Sequence, residues 1–132
     1  MPGPLSGYRI LDLTTMISGP VATRILADQG ADVIKIEAPG PGDLVRHMGL
    51  GKNGLSATFV TVNRNKRSLV VDLKTEKGQQ VLKQLCKEAD VFVQNFRPGA
   101  IERMGLGADV LCKINPKLVY VSISGFGKTG PY

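Results

Sequence analysis

Short apolar runs of strand length alternate along this chain with segments whose apolar residues recur at helical spacing. Tyr8-Arg9-Ile10-Leu11-Asp12-Leu13 is the first run. It opens into Thr14-Thr15-Met16-Ile17-Ser18-Gly19-Pro20, where Pro20 suits the first helical position because its missing N–H would lack a partner there. Val21, Ala22, Ile25 and Leu26 then repeat as a helical stripe, and Gly30 is placed to stop the helix. Asp32–Ile36 reads as a second strand ending at Glu37, and Ser68–Asp72, Val91–Val93 and Leu118–Ile123 read as three more. Thr75 is placed to cap a helix striped by Val81, Leu82, Leu85, Cys86 and Ala89. One short helix carries Ile101 and Met104, and another carries Val110, Leu111 and Ile114 and ends at Asn115-Pro116. Residues 38–57 form a long Gly- and Pro-rich loop, with a short helix over Phe59, Val60 and Val62. The alternation predicts an α/β fold with a parallel sheet and helices on both faces.

At 132 residues the chain has room for one domain that needs neither disulfide nor metal. Its 42% hydrophobic and 21% charged content excludes a disordered tail or a fibre. No apolar run reaches the roughly 20 residues of a membrane span, and no segment reads as a secretory signal, so the expected compartment is the cytoplasm. The net charge of +6 favours an anionic partner. Nucleic acid is a poor candidate, because 3 Tyr, 4 Phe and no Trp leave few stacking platforms and no helix carries a one-sided basic stripe. A phosphorylated small molecule fits better. Cys86 and Cys112 fall on apolar helix faces and read as two reduced core thiols. With His47 as the sole histidine, no metal site is expected.

In parallel α/β sheets, ligands bind outside the carboxyl ends of the strands, where strand order reverses. That rule selects Thr14–Pro20, Glu37, Asp72–Lys74, Asn95–Gly99 and Ser124–Gly130. Arg97, with Lys74 and Arg103, would make a phosphate-attracting rim beside a helix start at Pro98. The alternative for Asn95-Phe96-Arg97-Pro98-Gly99 is a plain turn with a solvated arginine. Arg64, Lys66 and Arg67 read as a solvated charge run, and His47 as a loop or packing residue. Glu37 lies about 18 residues after Gly19, as in dinucleotide-binding proteins, but the first loop is not G-x-G-x-x-G.

Several motifs, in order, resemble one family. They are Leu5-x-Gly7, Leu11-Asp12-Leu13-Thr14, Gly19-Pro20, Leu26-Ala27-Asp28-x-Gly30-Ala31-Asp32-Val33-Ile34-Lys35-Ile36-Glu37 and Pro39-Gly40-x-Gly42-Asp43. Asn63-x-Asn65-Lys66-Arg67-Ser68, Asn95-Phe96-Arg97-Pro98-Gly99 and Ser124-Gly125-Phe126-Gly127-x-x-Gly130-Pro131 follow. Together they resemble the N-terminal signature of the class III CoA-transferases (CaiB/BaiF-like), the group of formyl-CoA transferase and the carnitine CoA-transferases.

The resemblance implies a Rossmann-like domain that binds coenzyme A or acyl-CoA as substrate, with no permanently bound cofactor. Carried over by position, the CoA-binding candidates are Met16, Ile17, Val71, Asp72, Leu73, Lys74, Asn95, Phe96, Arg97 and Arg103. Ala38 departs from the arginine common at that position, so another basic residue would have to make its nucleotide contact. The resemblance further implies transfer of CoA from an acyl-CoA to a carboxylic acid through an aspartyl intermediate. The family's nucleophile lies beyond residue 132, so no catalytic residue is assigned. The chain is then expected to be the opening third of an enzyme that is an interlocked homodimer at full length. Alone it is expected to be inactive and to expose strand edge and apolar surface. Two other readings stand beside this one: a 2-methylacyl-CoA racemase of the same fold, marked by a His-Asp pair shortly after Gly-Pro, and a non-catalytic CoA-binding module.

Overall fold

The computed structural model describes residues 3–53 and 55–131, so Tyr132 of the terminal Gly-Pro-Tyr lies outside the described residues. In chain order the elements are β1 (Arg9–Leu13), α1 (Ser18–Asp28), β2 (Asp32–Glu37) and a 3₁₀ turn (Leu44–His47). A small hairpin, β3 (Gly51–Lys52) and β4 (Leu55–Ser56), leads into α2 (Ala57–Asn63) and β5 (Lys66–Val70). The chain continues through α3 (Glu76–Cys86), β6 (Val91–Gln94), α4 (Ala100–Arg103), α5 (Ala108–Ile114) and β7 (Val119–Ser122). Five strands form one parallel sheet in the order β5-β2-β1-β6-β7. From β1 the chain steps outward through β2 to β5, then returns to lay β6 on the other side of β1. The order therefore reverses between β1 and β6, and a ligand crevice is expected at their carboxyl ends.

The period-two alternation of the strands sorts the core into two layers. Leu11, Leu13, Ile34, Ile36 and Phe92 pack with Leu82, Cys86, Ile101 and Leu111 from α3, α4 and α5. Ile10, Val33 and Val93 pack on the other face with Ala27 and Ala31, at and just after the end of α1. Central parallel strands are usually apolar throughout, because both faces are covered. Here Asp12 and Lys35 stand opposite each other in the β1–β2 register and are both buried. The carboxyl-end half of the α1 face is thus charged.

Most element positions follow the sequence pattern. Thr75 caps α3 by accepting from Gly78 N at 3.1 Å. Gly30, at φ +99, ends the turn after α1. The departures have physical causes. Helix α1 starts at Ser18, so Pro20 is its third residue, where a missing N–H still costs nothing. The buried face of α1 is Gly19, Pro20, Thr23 and Ala27; of the expected stripe Val21, Ala22, Ile25 and Leu26, Leu26 packs against the core but Ile25 is 44% exposed. Small residues face inward because the helix lies close to β1. A Cβ on Gly19 would stand 2.3 Å from the Cβ of Thr14. Val81 similarly falls outside the buried face of α3, which is made by Leu82 and Cys86. Helix α4 begins after Gly99 rather than at Pro98, with Gly99 at φ +82 as its cap. Strand β5 begins at Lys66, two residues before the expected Ser68, for a reason given below. Both cysteines are free, but only Cys86 is a core thiol, pushed up to about 12 by burial; Cys112 is half-buried. No helix among the described residues is long and apolar enough to cross a membrane.

Candidate functional site

At the carboxyl end of the sheet, a cleft of about 560 Å³ opens where the strand order reverses. Its walls are the segment after β6 (Asn95, Phe96, Arg97, Pro98), the loop after β7 (Ile123, Ser124, Gly125, Phe126, Gly127) and Ser18 at the start of α1. Of the residues expected to bind ligand, the structure brings Asn95, Phe96 and Arg97 into this wall. Met16 and Ile17 immediately precede Ser18 and are 36% and 42% exposed. Arg103 reaches back from α4, its Nη1 3.1 Å from where a Cβ on Gly99 would stand. The guanidinium groups of Arg97 and Arg103 form no ion pair with the described residues, whereas Lys128 is drawn to Glu102 at 3.5 Å.

Val71, Asp72, Leu73 and Lys74 are not brought into the cleft. They follow β5, at the sheet edge two strands from β1. The Val71 side chain is buried, Leu73 packs against the core, and Asp72 Oδ1 caps the turn by accepting from Lys74 N at 3.0 Å. The Lys74 side chain is exposed. Two candidates in the cleft wall also have local work. The Asn95 amide brackets Thr15, accepting from its N and donating to its carbonyl oxygen, each at 2.9 Å. Phe96 packs on the core, and its N donates to Gln94 Oε1 at 2.8 Å.

Beneath the loop between β1 and α1 lies an ion network that sequence reasoning missed. Lys66 Nζ donates to Asp12 Oδ2 at 2.8 Å, to Pro20 O at 2.9 Å and to Asn63 Oδ1 at 2.9 Å. Thr14 and Thr23 hydroxyls donate to the same carboxylate at 2.5 and 2.7 Å. Lys35 Nζ donates to Asp43 Oδ2 and to Thr14 O, both at 2.9 Å. Glu37 accepts a bidentate pair from Arg46, Nε at 2.8 Å and Nη2 at 2.6 Å, and accepts from Asp43 N at 2.9 Å. Arg46 also lies 3.7 Å over the Phe59 ring. Glu37 is therefore committed to the protein and unavailable to a ribose.

The basic run after α2 is solvated at Arg64 and Arg67, whose ion pairs lie at the surface, but not at Lys66, whose side chain is buried. Arg64 pairs with Asp28 at 2.8 Å, Lys66 with Asp12 at 2.8 Å and Arg67 with Asp32 at 2.6 Å. Strand β5 starts at residue 66 because Lys66 already pairs with Val33 of β2, and its side chain reaches Asp12. His47 is an exposed loop residue, with Nε2 3.0 Å from Pro41 O. The signal for the network was present: a lysine and an aspartate inside apolar strand runs, Ile34-Lys35-Ile36 and Leu11-Asp12-Leu13, have to be paired.

Burial raises the Asp12 carboxyl, but Lys66, Lys35 and the hydroxyl donors outweigh it and hold it below the usual aspartate value of 3.8. Burial likewise raises Glu37, but Arg46 and the Asp43 amide outweigh it and hold the carboxyl below its usual 4.5. A carboxyl depressed on folding contributes stability above its unfolded value and loses it as pH falls through its folded value. The urea midpoint is therefore expected to stay level between about pH 7 and 5 and to fall steeply below about pH 4. A midpoint unchanged down to pH 3 would contradict this.

A parallel sheet in the order β5-β2-β1-β6-β7, with a cleft at its reversal point and Arg97 in the cleft wall, defines a Rossmann-type fold. Residues 5–132 match the model of CoA-transferase family III, and the chain belongs to that family. It is 49% identical over 129 residues to a succinyl-CoA:glutarate CoA-transferase of Mus musculus, covering 97% of this chain and 30% of that protein. It is 46% identical over 133 residues to a formyl-CoA:oxalate CoA-transferase of Escherichia coli, covering 100% of this chain and 32% of that protein. The crystal structure of a CaiB/BaiF family protein from Brucella suis superposes with a TM-score of 0.93 at 42% identity, covering 100% of this chain and 36% of that one. The chain thus spans about a third of the length of the relatives it matches.

Proposed function

We propose that this chain is the CoA-binding N-terminal part of an acyl-CoA:carboxylate CoA-transferase. The observation that carries the reading is the cleft at the β1/β6 reversal, walled by Arg97 and a glycine loop, with Arg103 reaching back beside Gly99. The cleft suits the thioester end of acyl-CoA, with Met16 and Ile17 as an apolar shoulder. Arg97 and Arg103 supply charge for phosphate, and Lys74 with the Val71–Leu73 backbone extends the site towards β5.

In the proposed reaction an aspartate attacks the thioester carbonyl, forming an acyl anhydride and releasing the CoA thiolate. The thiolate then attacks the aspartyl carbonyl, releasing the donor acid and leaving an aspartyl–CoA thioester. The second carboxylate attacks that thioester, expelling the CoA thiolate and forming a second anhydride; the thiolate then attacks its acyl carbonyl, giving the new acyl-CoA and freeing the aspartate. Five of the chain's seven aspartates are engaged within the protein: Asp12 and Asp43 are buried against lysines, Asp28 and Asp32 are held by arginines, and Asp90 accepts from Arg9 N at 2.8 Å. On the resemblance to the family, we place the nucleophile outside residues 1–132. Edge strands β5 and β7, with Val70 and Val119 exposed, suit completion by further chain in an interlocked homodimer. Two free cysteines suit the cytoplasm.

The test is a CoA titration of the full-length protein together with turnover on a panel of acyl-CoAs and dicarboxylates. Arg97→Ala is expected to weaken CoA binding about tenfold, as loss of one charge-assisted phosphate contact would. Wild-type protein that binds no CoA would sink the reading. Exchange of an α-proton on a 2-methylacyl-CoA, without transfer, would replace it with a racemase.

A further inference from the structure

The loop between β1 and α1 holds a conformation that a side-chain-bearing residue rarely keeps. Met16 sits at φ +67. Such strain persists only where the surroundings over-determine it, and it clusters at ligand sites. Here four side chains from four parts of the fold seize consecutive backbone groups. Asp12 Oδ1 accepts from Thr14 N at 3.0 Å, and Lys35 Nζ donates to Thr14 O at 2.9 Å. Asn95 brackets Thr15, and Asp43 Oδ1 accepts from Met16 N at 3.0 Å.

Asp43 differs from the other three. Asp12 and Lys35 are on sheet strands and Asn95 directly follows one, whereas Asp43 lies in the Gly- and Pro-rich loop after β2, outside the cleft wall. It is fully buried and anchored by Lys35 on Oδ2 at 2.9 Å, by Val45 N on Oδ1 at 3.2 Å and by its own N on Glu37 Oε1 at 2.9 Å. A loop that does not line the cleft therefore sets the conformation of one that borders it.

We infer that Asp43, held by Lys35, is a positioning residue for the cleft: it locks Met16 in the left-handed conformation and so fixes where Met16, Ile17 and Ser18 meet the ligand. The inference rests on the CoA reading above for the identity of that ligand. It goes beyond that reading in making affinity depend on a residue remote from the bound molecule.

The test combines hydrogen exchange with CoA titration on the full-length protein and its Asp43→Ala and Asp43→Asn variants. The Thr15 and Val21 amides are the reporters, because their acceptors, Asn95 Oδ1 and Ile17 O, are untouched by either change. In Asp43→Ala both amides are expected to exchange at least about tenfold faster, with CoA Kd raised about tenfold, while the amides of β1 and β6 keep their protection. Asp43→Asn keeps an acceptor for Met16 N and is expected to fall between. It carries the same comparison if Asp43→Ala does not fold. Unchanged reporters, faster reporters with unchanged CoA affinity, or equal acceleration throughout β1 and β6 would each overturn the proposal. If wild-type protein binds no CoA, the CoA reading fails, and the exchange arm still decides whether Asp43 positions the loop.

Discussion

Replacing Lys66 with methionine is expected to cost about 3–5 kcal/mol of folding stability, the range seen when one partner of a buried ion pair is removed. The Lys66 side chain is 2% exposed and that of Asp12 is 0% exposed. Without the ammonium, Asp12 keeps the Thr14 and Thr23 donors but loses the cation that touches its carboxylate, in a site closed to water. Pro20 O and Asn63 Oδ1 lose a donor at the same time. The expected compensation is informative: adding Asp12→Asn should recover a large part of the loss, because no unpaired charge then remains. Arg67→Met is the matched control. Its pair with Asp32 is 63% and 36% exposed, so its loss should cost at most about 1 kcal/mol. Urea denaturation of the four proteins measures all of this. A cost for Lys66→Met no greater than for Arg67→Met would show that the buried pair does not hold β5 to β1.

Gly19→Ala is expected to be the most damaging change in the cleft region for its size. The added Cβ would stand 2.3 Å from Thr14 Cβ, 2.5 Å from Cγ2 and 2.6 Å from Oγ1. Thr14 is wholly buried and cannot swing aside without breaking its hydroxyl bond to Asp12. The strain has to go into the α1 backbone, at a cost of about 1–3 kcal/mol or more. The start of α1 moves with it, and Ser18 is part of the cleft wall, so CoA affinity should fall as well. Gly125→Ala provides the contrast on the opposite wall, since nothing lies within 4 Å of its Cβ position. Its urea midpoint should match that of the unchanged chain. Equal midpoints for Gly19→Ala and Gly125→Ala would mean that α1 can lift off β1 freely.

The alternation of apolar runs was enough to predict five parallel strands and helices on both faces. Burying both faces of a strand leaves a strong compositional trace. The loops around the cleft could be named on the same grounds, because ligands sit at the carboxyl ends of such sheets. Asn95, Phe96 and Arg97 were found this way. Ser18 fell within the selected loop Thr14–Pro20, and the structure makes it the first residue of α1 and part of the cleft wall.

The α1 stripe went wrong because its inward face is chosen by closeness of approach. Gly19, Pro20, Thr23 and Ala27 win over larger apolar neighbours since nothing larger fits against β1. The charged layer was hidden for a different reason. Asp12 and Lys66 stand 54 positions apart, and Lys35 meets Asp43 only after the loop following β2 folds back. Periodicity reports which residues share a face of one element. It does not report which charges from different elements will meet once water is expelled.

Local patterning thus carries the fold class, the order of the elements and the end of the sheet where ligand belongs, since each depends on contacts within or between neighbouring segments. The pairing of Asp12 with Lys66, the hold of Asp43 on Met16 and the bracket of Asn95 on Thr15 emerge only on assembly. Each is a desolvated contact between distant parts of the chain, and its strength comes from a burial that no single segment possesses.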